Sequence, residues 1–279
     1  MDGSWIPYFQ LAYTLLLFPI YLFFTIYLGY KIYYLNIPTL RNEYYPIIFY
    51  KGVIDNFTIF VQFFTSRIQA FNVFDSFFLQ NVFLANVLFF VTSGAYFIMF
   101  QIAFLTSFNR YIAISKPALY SRYFNFKRLH LYFIIISIFG IIVGIVSIIY
   151  PYTYEYFKAT NTIAPIFTNT KSAIVHSIVA VFLDLPIIII TIILNLVCIY
   201  KNRLFFKNHK HLKNIEFKIL IYGCLLMIVM VAFEAYYLFK NLPYVFKKYF
   251  FLESIALMSL TWIVDAMTFG LFIFSFISS

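Results

Sequence analysis

Lys51 and Asp55 stand four residues apart in an otherwise apolar stretch. That spacing places both on one helix face, where each can neutralise the other. Asp265 lies in a second such stretch, and Asp184, Glu234 and Glu253 lie in others, with Asp184 two residues before Pro186. Asn81 and Asn86 add amide groups near the start of a further apolar run. Ionisable groups in such surroundings are expensive unless paired, so they point to ligand contact, ion pathways or internal switches. Catalytic patterns are missing: no Gly-rich phosphate loop, no Ser–His arrangement within a helix pair and no intramembrane His cluster occurs. His209 and His211 alternate with lysines and have no Cys or acid nearby, a poor metal site. The chemistry on offer is recognition and charge pairing, with no cofactor or metal implied, and the chain does not read as an enzyme.

The elements that must hold these groups follow from composition. Hydrophobic residues make up 63% of the chain and charged ones 11%, against about 25% charged in soluble domains. Such a chain cannot hide its apolar surface in a water-soluble core, so it is a multi-pass membrane protein with lipid as a constant partner. The net charge of +10 therefore concerns membrane orientation and gives no reason to expect nucleic acid. A spanning helix needs about 20 mostly apolar residues. Seven segments qualify: Ile6–Tyr30, Pro46–Ser66, Gln80–Ser107, Leu131–Tyr150, Ala173–Tyr200, Ile219–Phe239 and Phe250–Phe276. The expectation is an all-α membrane protein, one seven-helix bundle over residues 1–279 with no signal peptide and almost no C-terminal tail. Cys198 and Cys224 both fall in apolar runs and read as packed thiols.

The connections set the orientation. Loops 31–45, 108–130 and 201–218 hold thirteen Lys or Arg, the opposite loops hold six, and Lys51 is the twentieth. Basic residues collect on the inner side, so the N-terminus is expected outside and the C-terminus in the cytosol. At about 1.5 Å per residue, Asp55 and Asp265 both fall in the inner half of the membrane. They form either one polar cluster with Lys51, or a local Lys51–Asp55 pair with Asp265 near water. Asn81, Asn86, Asp184, Glu234 and Glu253 lie further out and are expected to rim an acidic, aromatic ligand cavity open to the outside. The 39 Phe and 25 Tyr are spread over every segment and mark no single site. Asn56-Phe57-Thr58 has a glycosylation pattern but sits within the second segment.

The string Phe108-Asn109-Arg110-Tyr111-Ile112-Ala113-Ile114, followed by Lys116-Pro117, falls where the third segment meets a basic loop. An Arg and a Tyr there suit an interfacial anchor. The string also resembles the third-helix end of rhodopsin-like receptors. With Pro117 and Tyr120 following, it looks most like nematode serpentine chemoreceptors of the Srg superfamily (the Srg, Srv and Srx groups). Asp265-Ala266-Met267-Thr268-Phe269 resembles that class's Asn/Asp-Pro-x-x-Tyr element, with Ala266 for Pro and Phe269 for Tyr. Asp55 sits where such receptors place a carboxylate, and Pro186 resembles their fifth-helix proline. The chain departs from the class in lacking a Cys pair from the third helix to the second outer loop, a Trp in the fourth segment and a Cys-Trp-x-Pro in the sixth.

The resemblance implies a chemosensory receptor that passes an external small-molecule signal to a heterotrimeric G protein. In that scheme Arg110, with Asn109 and Tyr111, is the coupling switch, and Lys116, Tyr120, Arg122, Lys210 and Lys213 line the cytosolic crevice. Asp55 and Asp265, with Lys51, form the intramembrane switch. The alternative is a multi-pass transporter or a ligand-gated channel subunit. An odd helix count with no paired repeats argues against the first. The absence of a charged pore stripe argues against the second.

Overall fold

The computed structural model describes residues 5–41, 44–157, 162–205, 213–246, 251–270 and 272–273. Among them seven helices are long and apolar enough to cross a membrane: Ile6–Tyr34, Tyr44–Phe71, Val82–Ser115, Phe126–Ser147, Thr170–Lys201, Gly223–Tyr244 and Phe251–Gly270. These are the first to seventh helices below. Each coincides with one apolar segment, and the differences lie at the ends. The third helix continues to Ser115, so Arg110 stands on a helix and not at the mouth of a loop. The fourth begins at Phe126, where the Asn125 side chain accepts a hydrogen bond from the Arg128 amide at 2.9 Å. A hydropathy count passes over that first turn because it carries Lys127, Arg128 and His130. Asn169 caps the fifth helix through the Ser172 amide in the same way.

The third helix is the axis of the bundle. Within its most apolar window 67% of residues are buried, against 22% in the first and fifth helices. It packs against the second, fourth and fifth helices. The fourth comes close enough to bring backbones into contact. A methyl group added at Gly94 meets the Gly140 carbonyl oxygen at 2.7 Å, and one at Gly144 meets that of Phe90 at 2.8 Å. Small residues four apart permit such approaches in membranes, where van der Waals packing drives helix association. The third, fifth, sixth and seventh helices share a core built on Met99, Phe100, Ile188, Leu226, Phe233 and Val264. Phe23, Ile134, Phe182 and Ile228 point outward on other faces, where lipid covers them.

Among the described residues four helices contain a wide π turn, at Tyr30–Tyr34, Phe63–Arg67, Ala180–Asp184 and Ala266–Gly270. Such turns reset the side-chain phase and often mark functional positions. The one in the fifth helix ends just before Pro186, so the chain widens there, where the proline removes a donor.

Between the fourth and fifth helices lies a feature outside the all-α expectation, an antiparallel hairpin of β1 (Tyr152–Phe157) and β2 (Thr162–Phe167). Tyr152 stacks on Phe89 with ring centroids 3.7 Å apart. Its hydroxyl donates to the Ser147 carbonyl at 2.6 Å and lies 2.5 Å from His176 Nε2. Its backbone amide donates to Asn86 Oδ1 at 3.1 Å. The Tyr154 hydroxyl donates to the Thr65 carbonyl at 2.9 Å. Burial raises both phenols above the ordinary tyrosine value, which keeps them protonated as donors. The hairpin is thereby pinned to the second, third, fourth and fifth helices.

Gly144→Leu should destabilise the bundle by about 1–3 kcal/mol, the usual cost of overpacking. Thermal unfolding in detergent reads this directly. Gly270→Ala, where the added methyl meets nothing closer than 3.9 Å, should leave the midpoint within about 2 °C for a chain of this size. Equal midpoints for both variants would remove the close approach as a determinant of stability.

Candidate functional site

The hairpin and six helices, all but the fourth, line a cavity of about 1010 Å³, at the upper end of the range for small-molecule sites. β2 contributes Ile163 and Pro165, the third helix Ser93 and Tyr96, and the sixth Tyr236, Tyr237 and Lys240. Arg67 and Gln62 enter from the second helix, His176 from the fifth and Trp262 from the seventh. Gln62 Nε2 donates to the Tyr96 hydroxyl at 2.5 Å. Lys240 is 5% exposed. Its ammonium lies 4.3 Å from the Phe89 ring centre, 4.9 Å from Phe167 and 5.7 Å from Tyr236.

None of the five residues expected to rim the cavity lines it. Asn86 instead holds the hairpin amide of Tyr152, and Asn81 donates to the Phe77 carbonyl at 2.6 Å. Glu253 accepts the Tyr244 hydroxyl at 2.5 Å. Asp184 and Glu234 are both buried, one on the fifth helix and one on the sixth. Among the described residues Asp184 Oδ1 and Glu234 Oε2 have no hydrogen-bond partner. The expected acidic rim is thus replaced by a wall of aromatic rings carrying cations. The physical reason is helix phase, since the carboxylates turn between helices and the π turn at Phe63–Arg67 brings Arg67 inward.

Two buried ion pairs tie the same three helices together. Lys51 and Asp55 pair within the second helix, the Tyr21 hydroxyl of the first donates to Asp55 Oδ2 at 2.6 Å, and Lys51 Nζ donates to the Met267 carbonyl of the seventh at 3.1 Å. Arg67 pairs with Asp265 and donates to Thr14 Oγ1 at 2.6 Å, and the Tyr13 hydroxyl donates to Asp265. Asp265 therefore neither joins the Asp55 cluster nor faces water. It is 7% exposed, and its counter-ion Arg67 lies one residue beyond the apolar segment Pro46–Ser66. Arg67 was missed because apolar counting ended the second helix at Ser66, whereas the helix continues to Phe71.

At the other end of the bundle, Asn109 is buried and donates to the Tyr120 hydroxyl at 3.1 Å. Arg110 reaches between the fifth and sixth helices. A methyl group added at Gly223 lies 3.8 Å from Arg110 Nη1 and 3.3 Å from Asn195 Oδ1. Asn195 in turn donates to Ser107 Oγ at 2.9 Å. The Lys201 ammonium lies 5.7 Å from the centre of the Tyr111 ring, joining the third and fifth helices. Lys116 ends the third helix and is exposed, as is Arg122. Lys210 lies outside the described residues, and of Lys213 only the backbone is described, at the start of the longer helix Lys213–Phe246 that contains the sixth span. Cys198 and Cys224 are free thiols.

The model of the family described as Serpentine type 7TM GPCR chemoreceptor Srv matches residues 10–267. No curated protein sequence matches the chain. The match takes in all of the second to sixth helices and the Asn109-Arg110-Tyr111 string, and it agrees with the seven spans found in the structure. The chain is a multi-pass membrane protein that belongs to the Srv family of serpentine, GPCR-type chemoreceptors.

Proposed function

We propose that the chain acts at the plasma membrane, with the hairpin end outside and the Arg110 end in the cytosol. It binds an external small molecule in the hairpin-end cavity and couples to a heterotrimeric G protein. The family supports the receptor class, and the excess of Lys and Arg in the loops at the Arg110 end supports the orientation. The observation that carries the coupling mechanism is the seat of Arg110 against Gly223 of the sixth helix, beside Asn195 of the fifth. An outward swing of the sixth helix breaks that seat and opens a crevice. Asn109, Tyr111, Lys116, Tyr120 and Arg122 stand on its third-helix side, Lys213 begins the helix that carries Gly223, and Lys210 precedes it in sequence. The cavity touches the same helix at Tyr236, Tyr237 and Lys240. A ligand that binds the swung arrangement more tightly shifts the population toward it. The Lys51–Asp55 and Arg67–Asp265 pairs hold the first, second and seventh helices as the frame against which the sixth moves.

Epitope tags on each terminus in intact cells test the orientation: a reactive N-terminal tag and a silent C-terminal one are expected. The reverse pattern would overturn every inside and outside assignment. Coupling is tested without knowing the ligand. Gly223→Leu does not fit against Asn195 and Arg110, so it should raise basal nucleotide exchange on co-expressed Gα roughly tenfold, an expected shift of about 1.4 kcal/mol. Adding Arg110→Ala to Gly223→Leu should return exchange to background at equal surface expression. An elevated rate that survives Arg110→Ala would sink the role of Arg110.

A further inference from the structure

Among the described residues Lys240 stands in the cavity wall as a buried amine with no ion-pair partner, and we infer that the ligand is an organic anion whose carboxylate sits on Lys240. This rests on the reading of the cavity as the ligand site and names the chemical class it takes. Among the described residues no Asp or Glu lines the cavity. Arg67, the other strong cation there, is already matched by Asp265. Glu253 is the acid whose charge Lys240 feels, but it receives the Tyr244 hydroxyl and forms no ion pair with Lys240. The three rings around the ammonium attract its charge and accept no conventional hydrogen bond, so its N–H donors remain to be used. A lysine buried in that state is held in its charged form by an anion beside it, so an anion is the ligand head the site favours.

The cavity supplies the rest of the recognition. An ammonium binds a carboxylate through short charge-assisted hydrogen bonds, and a cationic ligand meets only repulsion from Lys240. Tyr96, Tyr237, Met258 and Trp262 offer apolar and aromatic surface for the body of the ligand. The volume of about 1010 Å³ is far larger than a bare inorganic ion needs, so an anionic head on an aryl or alkyl body fits both parts of the site.

The protein carries two tryptophans, and Trp262 lines the cavity. The full chain with Trp5→Phe, in nanodiscs of zwitterionic lipid, therefore reports cavity occupancy through Trp262 fluorescence alone. The probes are 3-phenylpropanoate, 3-phenylpropanol and 3-phenylpropylamine, with octanoate, octanol, octylamine and acetate. At least one longer acid should bind saturably and at least about tenfold tighter than its matched alcohol and amine. Lys240→Met and Lys240→Gln should bring the acid to the level of the alcohol, and Lys240→Arg should keep the preference. The inference is overturned by an alcohol or amine bound as tightly as its acid, by acetate matching the longer acids, by a panel with no acid binder, or by a preference that survives both neutral variants. The comparison on the unsubstituted Lys240 chain stands even where a variant fails to fold. No G protein enters the assay, so failure of the Arg110 coupling mechanism leaves this readout intact.

Discussion

A charge inside a bilayer must find its partner within the bundle, and the arrangement of the first, second and seventh helices follows from that demand. Lys51 and Arg67 stand on the second helix, and both turn toward the seventh, one to the Met267 carbonyl and the other to the Asp265 carboxylate. Tyrosines of the first helix complete both sites, Tyr21 at Asp55 and Tyr13 at Asp265. Each cluster thus draws donors from the first and second helices and an acceptor from the seventh. Removing one member of a buried ion pair costs about 3–5 kcal/mol, because the other charge is left unmatched. In hydrocarbon no water comes to its aid. The two clusters therefore act less as surplus stability than as a register, excluding rotations of these helices that leave a charge facing lipid.

That demand also explains what could be read from the residues alone. The seven spans were legible because apolar length is set by bilayer thickness and needs no tertiary information. The Lys51–Asp55 pair was legible because it is local, four residues apart on one helix. The partner of Asp265 was not, because Arg67 lies 198 residues away in sequence and reaches the site only after a π turn has reset the phase of its helix. A count of 3.6 residues per turn cannot anticipate such a shift. The same applies to Asp184, carried in the π turn that precedes Pro186. Asn81, Asn86 and Glu253 were expected at the cavity, yet they serve backbone and hydroxyl partners and do not line it. Azimuth was not readable, and Asp265, expected level with Asp55, meets Arg67 and Tyr13 nearer the hairpin end.

The hairpin was hidden for a different reason. Tyr152, Tyr154 and Tyr156 alternate along β1, the period of a strand, but the stretch is short and lies among aromatic residues that occur everywhere in this chain. Its stability comes from outside itself. The hydroxyls of Tyr152 and Tyr154 reach the Ser147 and Thr65 carbonyls, and Asn86 takes a strand amide. An isolated two-stranded hairpin is marginal in water. Here the bundle supplies the packing that a third strand would give. In return the hairpin closes one side of the cavity with Ile163 and Pro165.

The sixth helix joins the two ends of the molecule in one rigid element. Lys240 faces the cavity and Gly223 faces Arg110. They are 17 residues apart in sequence, which is about 25 Å along a helix. Pro243 follows Lys240 by three residues and lies inside the same helix. A proline there leaves the Phe239 carbonyl without its helical donor and weakens the helix against bending next to the cation. A small rotation about that point moves the Gly223 end through a larger arc, because the distance from Gly223 to the bend is nearly the length of the span. The Arg110 contact lies where the arc is widest. A glycine is suited to that place. It leaves room beside the helix for Asn195 Oδ1 and Arg110 Nη1, which stand 3.3 and 3.8 Å from where a methyl group would lie.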